Sequence, residues 1–166
     1  MISVVLALAV GVLGWAAYGD ARWRRIPNEV SIAVAALGAL RLVLAGDPGA
    51  ALRTVVVAAI VLAVSFLLFA RGVFGGGDAK LISGATLLVG SARVLDFLLL
   101  TSIFGALLVP IVLLAGRAGP SLAGLAGAGE QVDTGTSTKP PRPTIPYGVA
   151  ISAASVVVLL LEFLQK

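Results

Sequence analysis

Asp20 and Asp78 are the two residues whose type and setting point to chemistry. Asp78 stands behind three consecutive glycines in Phe74-Gly75-Gly76-Gly77-Asp78-Ala79-Lys80, a break between two apolar segments, and Asp20 closes the first apolar run. A charge buried in hydrocarbon is costly unless it is paired, neutralised or wetted, so an acid at such a boundary is a functional hypothesis by default. Two carboxylates ~4 Å apart at an effective dielectric of ~20 repel by roughly 4 kcal/mol, or about 3 pK units. A pair that close holds one shared proton near neutral pH. One carboxylate can then activate a water while the other protonates a carbonyl oxygen. Gly75 and Gly77 would let a peptide backbone approach the pair closely.

Plainer readings stand beside these. Asp20 can be an interfacial acid balanced by Arg22, Arg24 and Arg25, Asp78 the N-cap of the helix it precedes, and the glycines a turn. Lys80 and Ser83, three residues apart on a helix, could instead form a Ser-Lys dyad, although a snorkelling lysine and a small packing serine account for them more simply. Glu29, Asp47, Asp96, Glu130, Asp133 and Glu162 read as helix-end, turn, loop or interface acids.

Composition narrows the chemistry further. The chain has 166 residues, 59% of them hydrophobic and 12% charged, which marks an integral membrane protein. It has no cysteine and no histidine. Disulfides, thiolate nucleophiles, imidazole bases and the usual zinc ligands are thereby excluded, and neither a metal nor a cofactor is expected. The net charge of +4 is spread over short loops, a pattern of membrane topology and not of nucleic-acid binding.

The elements that must position the two acids follow from the apolar runs. A first helix is expected over Ile2 to Tyr18, retained and not cleaved as a signal peptide, because no basic stretch precedes it. The arginine-rich loop after it reads as cytoplasmic, which puts the N-terminus outside. A second helix runs outward over Val30 to Ala45 with Asn28 as its cap, Gly46 to Gly49 turn, and a third returns over about Leu52 to Ala70. From Asp78 the apolar segment reaches only Val89, too short for an ordinary crossing, so either the bilayer is locally thinned or the glycine loop dips below the surface, and both options favour a pocket.

A fifth helix covers about Val94 to Ala115 with a kink at Pro110, and a sixth covers Tyr147 to Leu164. Between them, residues 116–143 are expected to form a flexible cytoplasmic loop. The predicted fold is thus a single all-α domain over 1–166, a polytopic bundle of about six transmembrane helices with both termini outside. Basic residues agree with that orientation. Arg22, Arg24, Arg25, Arg71, Lys80, Arg117, Lys139 and Arg142 fall inside, against Arg41, Arg53, Arg93 and Lys166 outside. This topology brings Asp20 and Asp78 to one membrane face.

Three blocks carry a resemblance: Asp20 with Ile26-Pro27-Asn28, then Phe74-Gly75-Gly76-Gly77-Asp78-Ala79-Lys80-Leu81, then Ile145-Pro146-Tyr147-Gly148-Val149-Ala150. In this order they resemble the type IV prepilin peptidases, membrane aspartic proteases of the Gly-x-Gly-Asp type, and most of all the short form serving Tad (Flp) pili. The resemblance implies an endopeptidase of the cell membrane that removes the basic leader of prepilin-like proteins at the cytoplasmic face, just before the substrate's hydrophobic helix. It implies Asp20 and Asp78 as the catalytic pair and Gly75 and Gly77 as the motif glycines, and leaves the last block without a chemical step. Larger members carry a cysteine-bearing cytoplasmic portion and also methylate the new N-terminus. This chain lacks cysteine, so peptidase activity alone is expected. A small transporter or proton relay using the same two acids, or a non-catalytic assembly subunit, are the rival readings.

Overall fold

The apolar runs fold as α-helices, the conformation that satisfies its own backbone hydrogen bonds where lipid offers none. The computed structural model describes residues 2–23, 26–72, 75–117 and 146–165. Among these it contains six helices and no strand: α1 (Ile2–Trp23), α2 (Asn28–Ala45), α3 (Pro48–Ala70), α4 (Gly76–Val89), α5 (Val94–Arg117) and α6 (Tyr147–Leu164), with a 3-10 turn at Ser91–Arg93. All except α4 are long and apolar enough to cross a membrane. The chain is a polytopic helical membrane protein.

Polar contacts at the helix ends fix the directions. Lys80 at the start of α4 donates to Asn28 Oδ1 at the start of α2, at 2.8 Å, and Arg41 near the end of α2 donates to the carbonyls of Leu88 and Val89 at the end of α4. These two helices therefore run parallel. Thr54, early in α3, bonds Ser91 just beyond α4, and Arg41 pairs with Glu162 late in α6 at 2.5 Å. Successive helices thus alternate in direction. The start of α1 and the end of α6 share one end of the bundle, and the end of α1 and the starts of α4 and α6 share the other.

The 14-residue α4 is the axis of the assembly. Nine of its residues are buried, on all sides, as expected of a helix enclosed by others. Its neighbours bury Leu13, Val34, Phe97, Ile151 and Leu159 against it or around it, and turn Val4, Leu8, Ile32, Val43, Leu99 and Leu160 outward. Glycine sets the closeness of α2 and α4. A Cβ at Gly38 would stand 2.7 Å from the Leu88 backbone nitrogen, and one at Gly84 would stand 3.2 Å from the Ser31 carbonyl oxygen. Small residues at such crossings are how membrane helices gain packing without a hydrophobic drive.

Several boundaries differ from expectation. Helix α1 continues to Trp23, so Asp20 lies inside a helix and not in a loop; nothing in Gly19-Asp20-Ala21-Arg22-Trp23 interrupts the backbone ladder. Helix α3 begins four residues earlier than Leu52, because Asp47 accepts from the Ala50 N–H at 3.0 Å as N-cap and Pro48 occupies the first helical position, where its missing N–H costs nothing. Asn28 is the first residue of α2 and not its cap, its side chain being taken by Lys80. Gly116 and Arg117 extend α5, which runs continuously through Pro110; the rest of the expected loop 116–143 lies outside the described residues, as do Arg24, Arg25, Phe74 and Ile145.

Candidate active site

Asp78 is the third residue of α4, and Gly75 is the N-cap. An acid at that position can reach back to the N-cap backbone, and the Gly75 N–H donates to the Asp78 carboxylate. The carboxylate folds so tightly against its own cap that a Cβ at Gly75 would stand 2.6 Å from Oδ2. Glycine is needed there to hold the acid in place.

The other two glycines answer to other neighbours. A Cβ at Gly76 would press on the Phe69 ring at 3.2 Å, and one at Gly77 would press on Ile26 Cβ at 3.3 Å. The break in the apolar pattern is therefore a close-packed junction between the start of α4, the end of α3 and the chain linking α1 to α2.

Asp20 reaches the same junction from α1. It is buried, and its Oδ2 accepts a hydrogen bond from the Val149 N–H at 3.2 Å. Val149 is the third residue of α6, whose own N-cap, Pro146, offers no side-chain acceptor. Asp20 thus supplies from another helix the cap that α6 lacks, and faces the positive end of its dipole. Gly148 makes this possible. A Cβ there would stand 2.8 Å from Asp20 Oδ2 and 2.7 Å from Ile26 Cδ1.

Ile26 is the wedge between the two acids' supports, touching Gly77 of α4 on one side and Gly148 of α6 on the other. All three sequence blocks interlock at this point, although the sequence alone gives the last block no task. Its task is to seat Asp20. The signal was a glycine in the first turn of a helix whose N-cap side chain cannot accept a hydrogen bond.

The electrostatics link the pair. Burial first, and the Asp20 charge second, push the Asp78 carboxyl up from its ordinary 3.8 to about 7, while the Gly75 N–H pulls the other way. Asp78 belongs to α4, outside the five long membrane-crossing helices. With Asp20 ionised, Asp78 can hold a proton near neutral pH, the division of labour that acid–base hydrolysis of an amide requires.

The Ser-Lys alternative fares differently. Ser83 Oγ donates to the Ala79 carbonyl at 2.7 Å and Lys80 Nζ to Asn28, so each has its own partner. Among the described residues no group of three or more acids, histidines or cysteines converges as a metal site would.

Comparison with known proteins supplies one match. The model of the type IV leader peptidase family matches residues 7–110, a span holding Asp20, Ile26, Gly75, Gly77 and Asp78. No curated protein and no solved structure matches the chain.

Proposed function

The chain belongs to the type IV leader peptidase family, and on that premise we propose that it is an aspartic endopeptidase that removes the leader of a prepilin-like protein, of the Tad (Flp) kind, at the cytoplasmic face of the cell membrane. What supports this reading is that two acids from distant parts of the chain lie at one end of the bundle, where burial first and the Asp20 charge second push the Asp78 carboxyl up. In the proposed reaction Asp20 takes a proton from water as the water attacks the scissile carbonyl. Asp78 gives its proton to the carbonyl oxygen. Collapse of the tetrahedral diol then returns a proton to the departing amine, and the pair regains its single shared proton.

The position of the pair suits such a substrate. Asp20 lies three residues from the end of α1 and Asp78 two from the start of α4, so the acids sit where an apolar helix would emerge into a polar leader. The activity proposed is cleavage alone, without methylation of the new N-terminus. Incubation of the purified protein in lipid with a full-length prepilin-like precursor, followed by mass measurement of the products, tests this. One cut just before the precursor's apolar helix, with no added methyl, is expected; a precursor left whole would remove the proposal.

A further inference from the structure

Ile26-Pro27-Asn28, which leads into α2, reaches α4 at two points. Ile26 packs on Gly77, where a Cβ would stand 3.3 Å from Ile26 Cβ and 3.6 Å from its carbonyl oxygen. Asn28 Oδ1 accepts from Lys80 Nζ at 2.8 Å. Gly77 and Lys80 are three apart, so both contacts fall on one face of the turn that carries Asp78. Lys80 is exposed and its partner is a neutral oxygen, so the bond adds little to stability; what it fixes is the place of the chain leading into α2.

On its other side Ile26 meets the seat of Asp20. A Cβ at Gly148 would stand 2.7 Å from Ile26 Cδ1 and 2.8 Å from Asp20 Oδ2, so the methyl group and the carboxylate crowd one space above a single glycine. Pro27 adds stiffness. Its ring holds its own φ, here −58°, and disfavours the helical region in the residue before it, which keeps Ile26 out of a continued α1.

Resting on the peptidase reading above, we propose that Ile26 is a positioning residue of the acid pair: a spacer that holds the start of α4, which carries Asp78, in fixed relation to the start of α6, which seats Asp20, with the Lys80–Asn28 bond keeping the spacer in place. The packing of the helices makes a spacer necessary. Helix α1 packs on α2 and α6 and makes little direct contact with α4. The relation between an acid on α1 and an acid on α4 is therefore set through intermediaries, and Ile26 is the side chain that touches the supports of both. Truncating it leaves a gap at the junction into which either support can settle, and a catalytic group displaced by about 1 Å loses up to about 100-fold in rate.

The test measures kcat and KM for cleavage of a prepilin-like precursor by the full chain in lipid, matched for folded amount. The variants are Ile26→Ala, Ile26→Leu and, as a control that loosens only the opposite end of the bundle, Arg41→Met. Ile26→Ala should lower kcat by roughly 10- to 100-fold with KM within about twofold of the parent. Ile26→Leu conserves volume and should recover most of that loss, and Arg41→Met should keep the parental kcat. Parental kcat in Ile26→Ala, a loss carried by KM, an equal loss in Arg41→Met, or no recovery with leucine would overturn the role. Asn28→Ala and Lys80→Met should each lower kcat by about threefold and the double variant no further, because both break one bond; additive losses, or none, would overturn the tie. A parent that leaves the precursor whole rejects the peptidase reading and this role with it, whereas a parent that cleaves beside an equally fast Ile26→Ala rejects the spacer alone.

Discussion

Asp20 Oδ2 accepts the Val149 N–H at 3.2 Å, so an acid of α1 is the N-terminal cap of α6. A side chain at Gly148 would occupy the space this bond needs, 2.8 Å from that oxygen. Gly148→Ala should therefore lower kcat/KM for precursor cleavage by roughly 10- to 100-fold, the usual effect of displacing a catalytic group by about 1 Å. Gly75→Ala should behave alike, with its Cβ 2.6 Å from Asp78 Oδ2, and Gly77→Ala should be milder, because Ile26 at 3.3 Å can shift. Cleavage kinetics on membrane-inserted protein check the order; equal rates in all three variants would contradict it.

The proton on Asp78 gives a pH dependence. Its carboxyl is pushed up to about 7, so kcat/KM should fall above that pH, by about tenfold per unit once the proton is lost. Stability should move in the same direction. Between 3.8 and about 7 the folded protein binds this proton and the unfolded chain does not, so stability falls as pH rises through that window. The Tm in detergent should be higher at pH 5 than at pH 8, and Asp78→Asn should shrink the difference by removing the titrating group. A pH-rate profile flat up to pH 9 would contradict the assignment of Asp78 as the acid.

At the opposite end of the bundle, Arg41 joins three helices, donating to the Leu88 and Val89 carbonyls of α4 and pairing with Glu162 of α6. Both side chains are mostly buried, at 14% and 19% exposure. Arg41→Met removes the mostly buried ion pair with Glu162 and the donors to the end of α4, and should destabilise by about 3 kcal/mol. Adding Glu162→Gln should recover part of that. Thermal unfolding of the single and double variants measures it, and the fraction that remains folded should cleave at the parental rate, because the pair lies far from the aspartates.

Hydropathy and charge carried the architecture into the sequence. Each long apolar run became a helix, the short segment after Asp78 became α4, and strict alternation of helix direction brought Asp20 and Asp78 to one end. What the sequence could not convey is which surfaces touch. The shortness of α4 read as a shallow crossing beside a pocket, whereas its burial on all sides is visible only once α2, α3 and α6 pack around it. The same holds for Gly148 and Ile26. A glycine within a turn of a helix start has many local explanations, and the one that applies, contact with a carboxylate 128 positions earlier in the chain, is wholly tertiary. Asp20 read as a loop residue because an acid is unfavourable inside an apolar helix, a cost offset here by the backbone N–H of α6.

The shared-proton pair is tested most directly by cleavage of a prepilin-like precursor by the parent protein, Asp20→Asn, Asp78→Asn and Ser83→Ala, all reconstituted in lipid and matched for folded amount. An amide can neither take the proton from water nor return one to the carbonyl oxygen, so each Asp→Asn variant should lose at least about 10³-fold in kcat while Ser83→Ala keeps the parental rate. Parental activity in either Asp→Asn variant would contradict the account.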